Sequence, residues 1–167
     1  MTQSWDRIYT PHRLEYLRGA VTSDGCPFCA APELNGSDAL DLVAHRGQLA
    51  YVVLNLYPYN AGHLLICPYR HVADYTDLTD AERDEISRLT QESMHTLRAI
   101  SGAQGFNLGM NQGSISGAGI AAHLHQHVVP RWGGDANFMP IIGETKVLPQ
   151  LLTQTRDLLQ EGWISSH

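Results

Sequence analysis

Two short apolar runs, Leu49-Ala-Tyr-Val-Val-Leu-Asn55 and His63-Leu-Leu-Ile-Cys-Pro68, stand on either side of the turn-prone Leu56-Tyr-Pro-Tyr-Asn-Ala-Gly62. Runs of this length, rich in β-branched and aliphatic residues and bounded by Pro, Asn and Gly, predict the two strands of a hairpin. From Thr79 the period changes. Ile86, Leu89, Leu97 and Ile100 recur near every 3.6 residues, Thr79 with Glu82 three positions on is an N-terminal capping signature, and Gly102 supplies a stop. The pattern predicts a helix from Thr79 to about Ile100. Phe106-Asn-Leu-Gly-Met-Asn111 and His123-Leu-His-Gln-His-Val-Val-Pro130 read as two further strands, separated by a Gly- and Ser-rich stretch from Gln112 to Gly119. Toward the ends, Ile8, Leu14 and Leu17 around Pro11 predict a turn and short helix between Arg7 and Arg18, and residues 19–38 read as loop. Val147, Leu148, Leu151, Leu152, Leu158 and Leu159 predict a second main helix within Lys146–Trp163. Strands paired as hairpins with helices between them make an α+β fold, an antiparallel sheet packed against helices.

A chain of 167 residues predicts a single domain over 1–167. Within it, 1–48 is an N-terminal segment with a cysteine-pair loop, 49–131 the core, and 132–167 a C-terminal loop and helix. Eleven Lys and Arg against 17 Asp and Glu give a formal charge of -6, which leaves no basic footprint for a nucleic-acid polymer. The opening residues carry no apolar signal core, and no stretch approaches the roughly 18 apolar residues of a membrane span. The expectation is a cytoplasmic protein without membrane contact. Three cysteines are present, two of them as Cys26-Pro-Phe-Cys29, a spacing that suits metal ligation or redox work. Cys67 lies inside an apolar run and reads as a small buried hydrophobe.

Nine histidines are the unusual feature of the composition. Side chains alternate faces along a strand, so His123, His125 and His127 are expected on one face, with Leu124, Gln126 and Val128 on the other. Such a row is open to three readings: the polar face of an edge strand, nitrogen ligands for a catalytic ion, or catalytic imidazoles. No Asp or Glu lies between the helix and Asp135 to complete an ion site of that kind, which weakens the second. Gln126, on the face that should be buried, needs a hydrogen-bond partner there. His12, His45, His95 and His167 have no motif around them and are expected at the surface.

His123-Leu-His-Gln-His-Val-Val-Pro130 resembles the signature of the histidine triad (HIT) family of nucleotide hydrolases and transferases, in which histidines alternate with apolar residues. Asn55 with Gly62-His63-Leu-Leu-Ile-Cys-Pro68, then Phe106-Asn107, Asn111-Gln-Gly113 and Trp132-Gly-Gly-Asp-Ala-Asn-Phe138, resemble further landmarks of that family in the same order. The opening Tyr9-Thr-Pro-His-Arg-Leu-Glu-Tyr16 and the segment after Arg131 are similar to the bacterial branch that includes diadenosine tetraphosphate phosphorylases. The resemblance implies a HIT-like fold, a homodimer, and a small adenine nucleotide or dinucleotide as substrate, cleaved at its α-phosphate through a nucleotidyl-histidine. It places the nucleophile at His125 and phosphate or leaving-group donors at His127 and His63. Asn111 would orient the phosphates and Asn55 would bind the ribose hydroxyls. Where many members carry a polar residue shortly before the triad this chain has Gly119, so Ser114, Ser116 or the backbone N–H groups around Gly113 would take over the phosphate contact. Phosphoramidate hydrolysis and non-catalytic nucleotide binding stand as alternatives. By the same resemblance His71 and His123 join Cys26 and Cys29 as the ligands of a structural zinc, with a redox pair or a metal-free reduced pair as the other readings.

Overall fold

The computed structural model describes residues 25–34, 41–113, 115–135 and 150–166. The predicted helix between Arg7 and Arg18, Ser114, and the Ala136–Phe138 end of the tryptophan landmark lie outside them. Five strands form one antiparallel sheet: β1 (Val43–Arg46), β2 (Ala50–Leu54), β3 (Leu64–Pro68), β4 (Gly105–Met110) and β5 (Gln126–Arg131), in the order β1-β2-β3-β5-β4. Three α-helices are present among the described residues, α1 (Pro27–Ala30), α2 (Asp80–Ser101) and α3 (Leu152–Glu161). The α+β expectation holds, with a strand added: β1 was not predicted, because Val-Ala-His-Arg shows no period-2 alternation. Its pairing with β2 defines it, through a register irregularity between Val43 and His45.

The β2–β3 hairpin is fully buried, each of its ten strand residues lying in the core, which is why it reads as continuous apolar sequence rather than alternation. Helix α2 covers the sheet with Ile86, Leu89 and Leu97. It begins at the predicted cap: the Thr79 hydroxyl accepts from Glu82 N at 3.2 Å while the Glu82 carboxylate accepts from Thr79 N at 2.8 Å. Arg70 also binds Glu82 and, with the cap, holds its carboxyl down to about 2. At the other end Gly102 takes the left-handed conformation, φ 65°, that only glycine adopts readily. The Gln126 amide donates to the Thr90 hydroxyl of α2 at 2.6 Å, so the one polar residue on the helix-facing side of β5 has the partner it requires.

Helix α3 straps the β1 side of the sheet. Arg156 donates to the Asp41 carbonyl at 2.6 Å and Gln160 to the Val43 carbonyl at 2.8 Å. Beyond the helix, Trp163 donates to Glu92 at 3.2 Å and stacks on His45, with centroids 4.4 Å apart and planes 6° from parallel. His45 is therefore half-buried packing and not the surface residue its lack of a motif suggested. His95 is exposed, as expected. No helix among the described residues is long and apolar enough to cross a membrane.

Candidate active site

The triad does not lie on one continuous strand. β5 starts at Gln126, since β3 pairs with it only at Leu64↔Val128, Leu65↔His127 and Ile66↔Gln126. His123 and His125 belong to an irregular lead-in, so the expectation of three imidazoles alternating along a strand is corrected: His127 alone is a strand residue. The lead-in is held by backbone bonds instead. Leu124 N donates to Val72 O at 2.7 Å, and His123 Nε2 donates to Pro68 O at 2.9 Å. The result gives the histidines different surroundings. His123 turns toward the two cysteines, while His125 and His127 meet edge to face at 5.0 Å.

Hydrogen-bond partners fix where each proton sits. A carbonyl oxygen can only accept, so His125 Nδ1, 2.9 Å from His123 O, carries the proton and leaves the lone pair on Nε2. Burial lowers the His125 pKa, against an opposing effect of that carbonyl, and favours the neutral ring. His63 is the reverse case. Tyr59 N–H can only donate and points at His63 Nδ1 from 3.0 Å; the Asn55 amide NH₂, oriented because its oxygen accepts from Tyr57 N, donates to the same nitrogen from 3.2 Å. His63 therefore carries its proton on Nε2 and passes it toward His127 Nδ1, 2.9 Å away. With its Nδ1 accepting, His127 is protonated on Nε2. The cleft thus presents one imidazole with a bare Nε2 and, beside it, one with an Nε2–H.

Aromatic rings continue this row at both ends. Phe28, between the two cysteines, packs on His125 at 4.9 Å, and Tyr59 lies nearly parallel to His127 at 5.6 Å and 18°. Sequence reasoning singled out neither ring, since both sit in segments read only as loop. The Tyr51 hydroxyl donates to the Phe28 carbonyl at 2.5 Å, tying α1 to the hairpin floor.

Cys26, Cys29, His71 and His123, the set the family resemblance implied, come together with their ligand atoms all within 4.8 Å of one another. Cys26 Sγ and Cys29 Sγ stand 3.4 and 3.5 Å from His123 Nδ1, and Cys29 Sγ stands 3.3 Å from His71 Nδ1. The edges of a tetrahedron with Zn–S near 2.3 Å and Zn–N near 2.0 Å are about 3.5 Å long, so these separations fit a tetrahedral ion. The Pro68 carbonyl also fixes His123 with its Nδ1 lone pair toward the thiols, the orientation a ligand needs. Cys67 is fully buried, and burial pushes its thiol pKa up, in keeping with a core residue.

The remaining predicted residues lie nearby in the chain with less elaborate surroundings. Asn111 follows β4, half-buried. Gly113 takes φ 85°, and its carbonyl accepts from both Ser116 N at 3.2 Å and the Ser116 hydroxyl at 2.8 Å, which closes a tight exposed turn. Trp132 anchors its landmark loop: its indole donates to Ser101 O at 2.9 Å, at the end of α2. Asp135, held acidic by Arg131, also accepts from Asn60 at 2.9 Å and so joins this loop to the β2–β3 loop.

A neutral imidazole with its lone pair on Nε2 beside an imidazole carrying an Nε2–H is an arrangement chemically able to support covalent group transfer. The HIT domain profile matches residues 40–134, more than half of the chain, and the chain belongs to the HIT domain family. It is 49% identical over 165 residues to the AP-4-A phosphorylase of Mycobacterium tuberculosis strain CDC 1551, a match covering 94% of this chain and 84% of that one. It is 34% identical over 93 residues to the bifunctional bis(5'-adenosyl)-triphosphatase/adenylylsulfatase FHIT of Arabidopsis thaliana, covering 56% of this chain and 51% of that one. Among solved structures, a Zn-bound histidine triad family protein from Mycobacterium smegmatis shares the fold with a TM-score of 0.65 at 24% identity, covering 83% of this chain and 92% of that one.

Proposed function

We propose that this protein is a nucleotidyl-transferring enzyme that cleaves diadenosine tetraphosphate at an α-phosphate, with inorganic phosphate as the second acceptor. The observation that carries the reading is the proton arrangement of the cleft: His125 with its lone pair on Nε2 and His127 with its proton on Nε2, both set by neighbouring donors and acceptors. His125 Nε2 attacks the α-phosphorus in line, the bond to the bridging oxygen breaks, and ATP leaves. His127 Nε2–H hydrogen-bonds the oxygen on which charge develops, and His63 holds His127 in that tautomer. Phosphate then attacks the adenylyl-His125 and releases ADP; water in its place would release AMP. Asn111, Gly113 and Ser116 are the phosphate contacts in this reading, and Asn55 binds ribose through whatever capacity its bond to His63 leaves. The 49% identity to a phosphorylase over nearly the whole chain supports phosphate as the preferred acceptor.

Zinc belongs to the same reading. Cys26, Cys29, His71 and His123 would hold it with all four positions taken by protein, so its contribution would be to tie the N-terminal segment to the triad lead-in. A homodimer is also part of it, with the edge strand β4 and its half-exposed Leu108 as the side of the sheet that would carry the contact. Product analysis tests the reaction. Diadenosine tetraphosphate incubated with the protein should yield ADP and ATP only when phosphate is present. AMP and ATP independent of phosphate would make the enzyme a hydrolase, and no turnover would overturn the proposal.

A further inference from the structure

The loop between β2 and β3 exposes three large apolar side chains within four residues: Leu56 at 45%, Tyr57 at 39% and Tyr59 at 42%. Single exposed apolar residues need no explanation, but three fall on the loop that delivers His63 to the cleft, and one of them, Tyr59, packs on His63 and His127. The loop is also firmly held. Tyr57 N donates to Asn55 Oδ1 and Tyr59 N to His63 Nδ1, each at 3.0 Å, while Asn60 donates to Pro130 O at 3.0 Å and to Asp135 at 2.9 Å. A rigid aromatic surface loses little freedom when something flat settles on it.

Its position indicates what would settle there. The rings run in order Phe28, His125, His127, Tyr59, with neighbouring centroids 4.9, 5.0 and 5.6 Å apart. In-line displacement puts the leaving group on the side of phosphorus away from His125, where His127 donates, and Tyr59 stands beyond His127. We propose that Tyr57 and Tyr59 form a stacking platform for the nucleoside carried by the leaving group, making the β2–β3 loop the element that distinguishes a dinucleotide from a mononucleotide. This rests on the dinucleoside polyphosphate reading above. Stacking on tyrosine suits a purine, because an extended π-face meets an amphipathic ring without needing a specific hydrogen bond.

The test compares diadenosine tetraphosphate with adenosine 5'-tetraphosphate, which keeps the four phosphates and lacks only the second adenosine. The wild-type protein should prefer the dinucleotide in kcat/KM through a lower KM, and Tyr57→Ala and Tyr59→Ala should erase about 5- to 150-fold of that preference, the worth of a base–aromatic stack. Tyr59→Phe, which keeps the ring, should retain it. The same ratio read as dissociation constants by calorimetry in a His125→Asn background separates this proposal from the reaction. If wild type cleaves neither compound, the catalytic reading fails and the platform is judged on the binding ratio alone. A ratio unchanged in both alanine variants, or an equal loss for both compounds, would overturn the platform and leave Tyr59 as cover for His63 and His127.

Discussion

His123 and His125 are separated by one residue, share a lead-in, and are both buried with lowered pKa values, yet they face different chemistry. His123 gives its Nε2–H to the Pro68 carbonyl and turns Nδ1 to the thiols; His125 gives its Nδ1–H to the carbonyl of His123 and keeps its lone pair on Nε2. The side chains are identical, and a different backbone acceptor for each decides which nitrogen keeps the lone pair. The two regions are also coupled, because the residue that faces the cysteines supplies the carbonyl that orients the His125 ring.

The sharpest way to break this comparison is to remove the proposed nucleophile, His125. His125→Asn should lower kcat by at least about a thousandfold with the fold intact, since a covalent nucleophile has no substitute in the cleft. A folded, active variant would show that the lone pair on His125 Nε2 has no role in the reaction. His127→Asn should cost about 10²- to 10³-fold, the scale of one lost oxyanion donor. That loss should shrink on a substrate whose leaving group is a weak base, and a uniform loss across leaving groups would remove His127 from the donor role.

The His123 side should respond in stability more than in turnover. Protein purified without added metal should contain close to one zinc per chain. Cys26→Ser should lose it and melt well below wild type, with a smaller loss of kcat than His127→Asn at a temperature where the variant is folded. A metal-free wild-type protein with an unchanged melting temperature would leave the cysteine cluster without its proposed task.

How much of this was legible depends on how local each signal is. The Thr79–Glu82 capping box, the Gly102 stop and the buried hairpin depend on neighbours within a few residues, and they appear where the pattern put them. Gln126 announced its need for a partner without naming Thr90, which lies 36 residues away. The cysteine and histidine set came from family resemblance, since His71 and His123 are distant from the cysteines in sequence. The start of β5 was misplaced because alternation of His with apolar residues looks like a strand, whereas pairing with β3 stops at Gln126 and side-chain bonds to carbonyls shape what precedes it. Strand β1 and the Asn60–Asp135 link exist only through contacts across the fold, so a single sequence carries no local sign of them.

His45 sharpens the comparison from outside the site, as an imidazole whose task is to pack. It stacks on Trp163, and burial lowers its pKa from 6.5, with Glu92 and Glu85 pulling it up and Arg88 pushing it down. A folded value below the unfolded one means the unfolded chain binds the extra proton in the window between them. The contribution of His45 to stability is therefore complete above 6.5 and is lost as the pH falls from there through the lowered folded value. His125 adds the same sign from its own burial. Because His45 is partly exposed, its share should be small. His45→Phe keeps a ring against Trp163 and removes the titration, so the fall in melting temperature between about pH 7 and pH 5 should be shallower than in wild type. Parallel curves for the two proteins would mean that the stack tolerates the charge, and that among these imidazoles pH acts on the fold through the site alone.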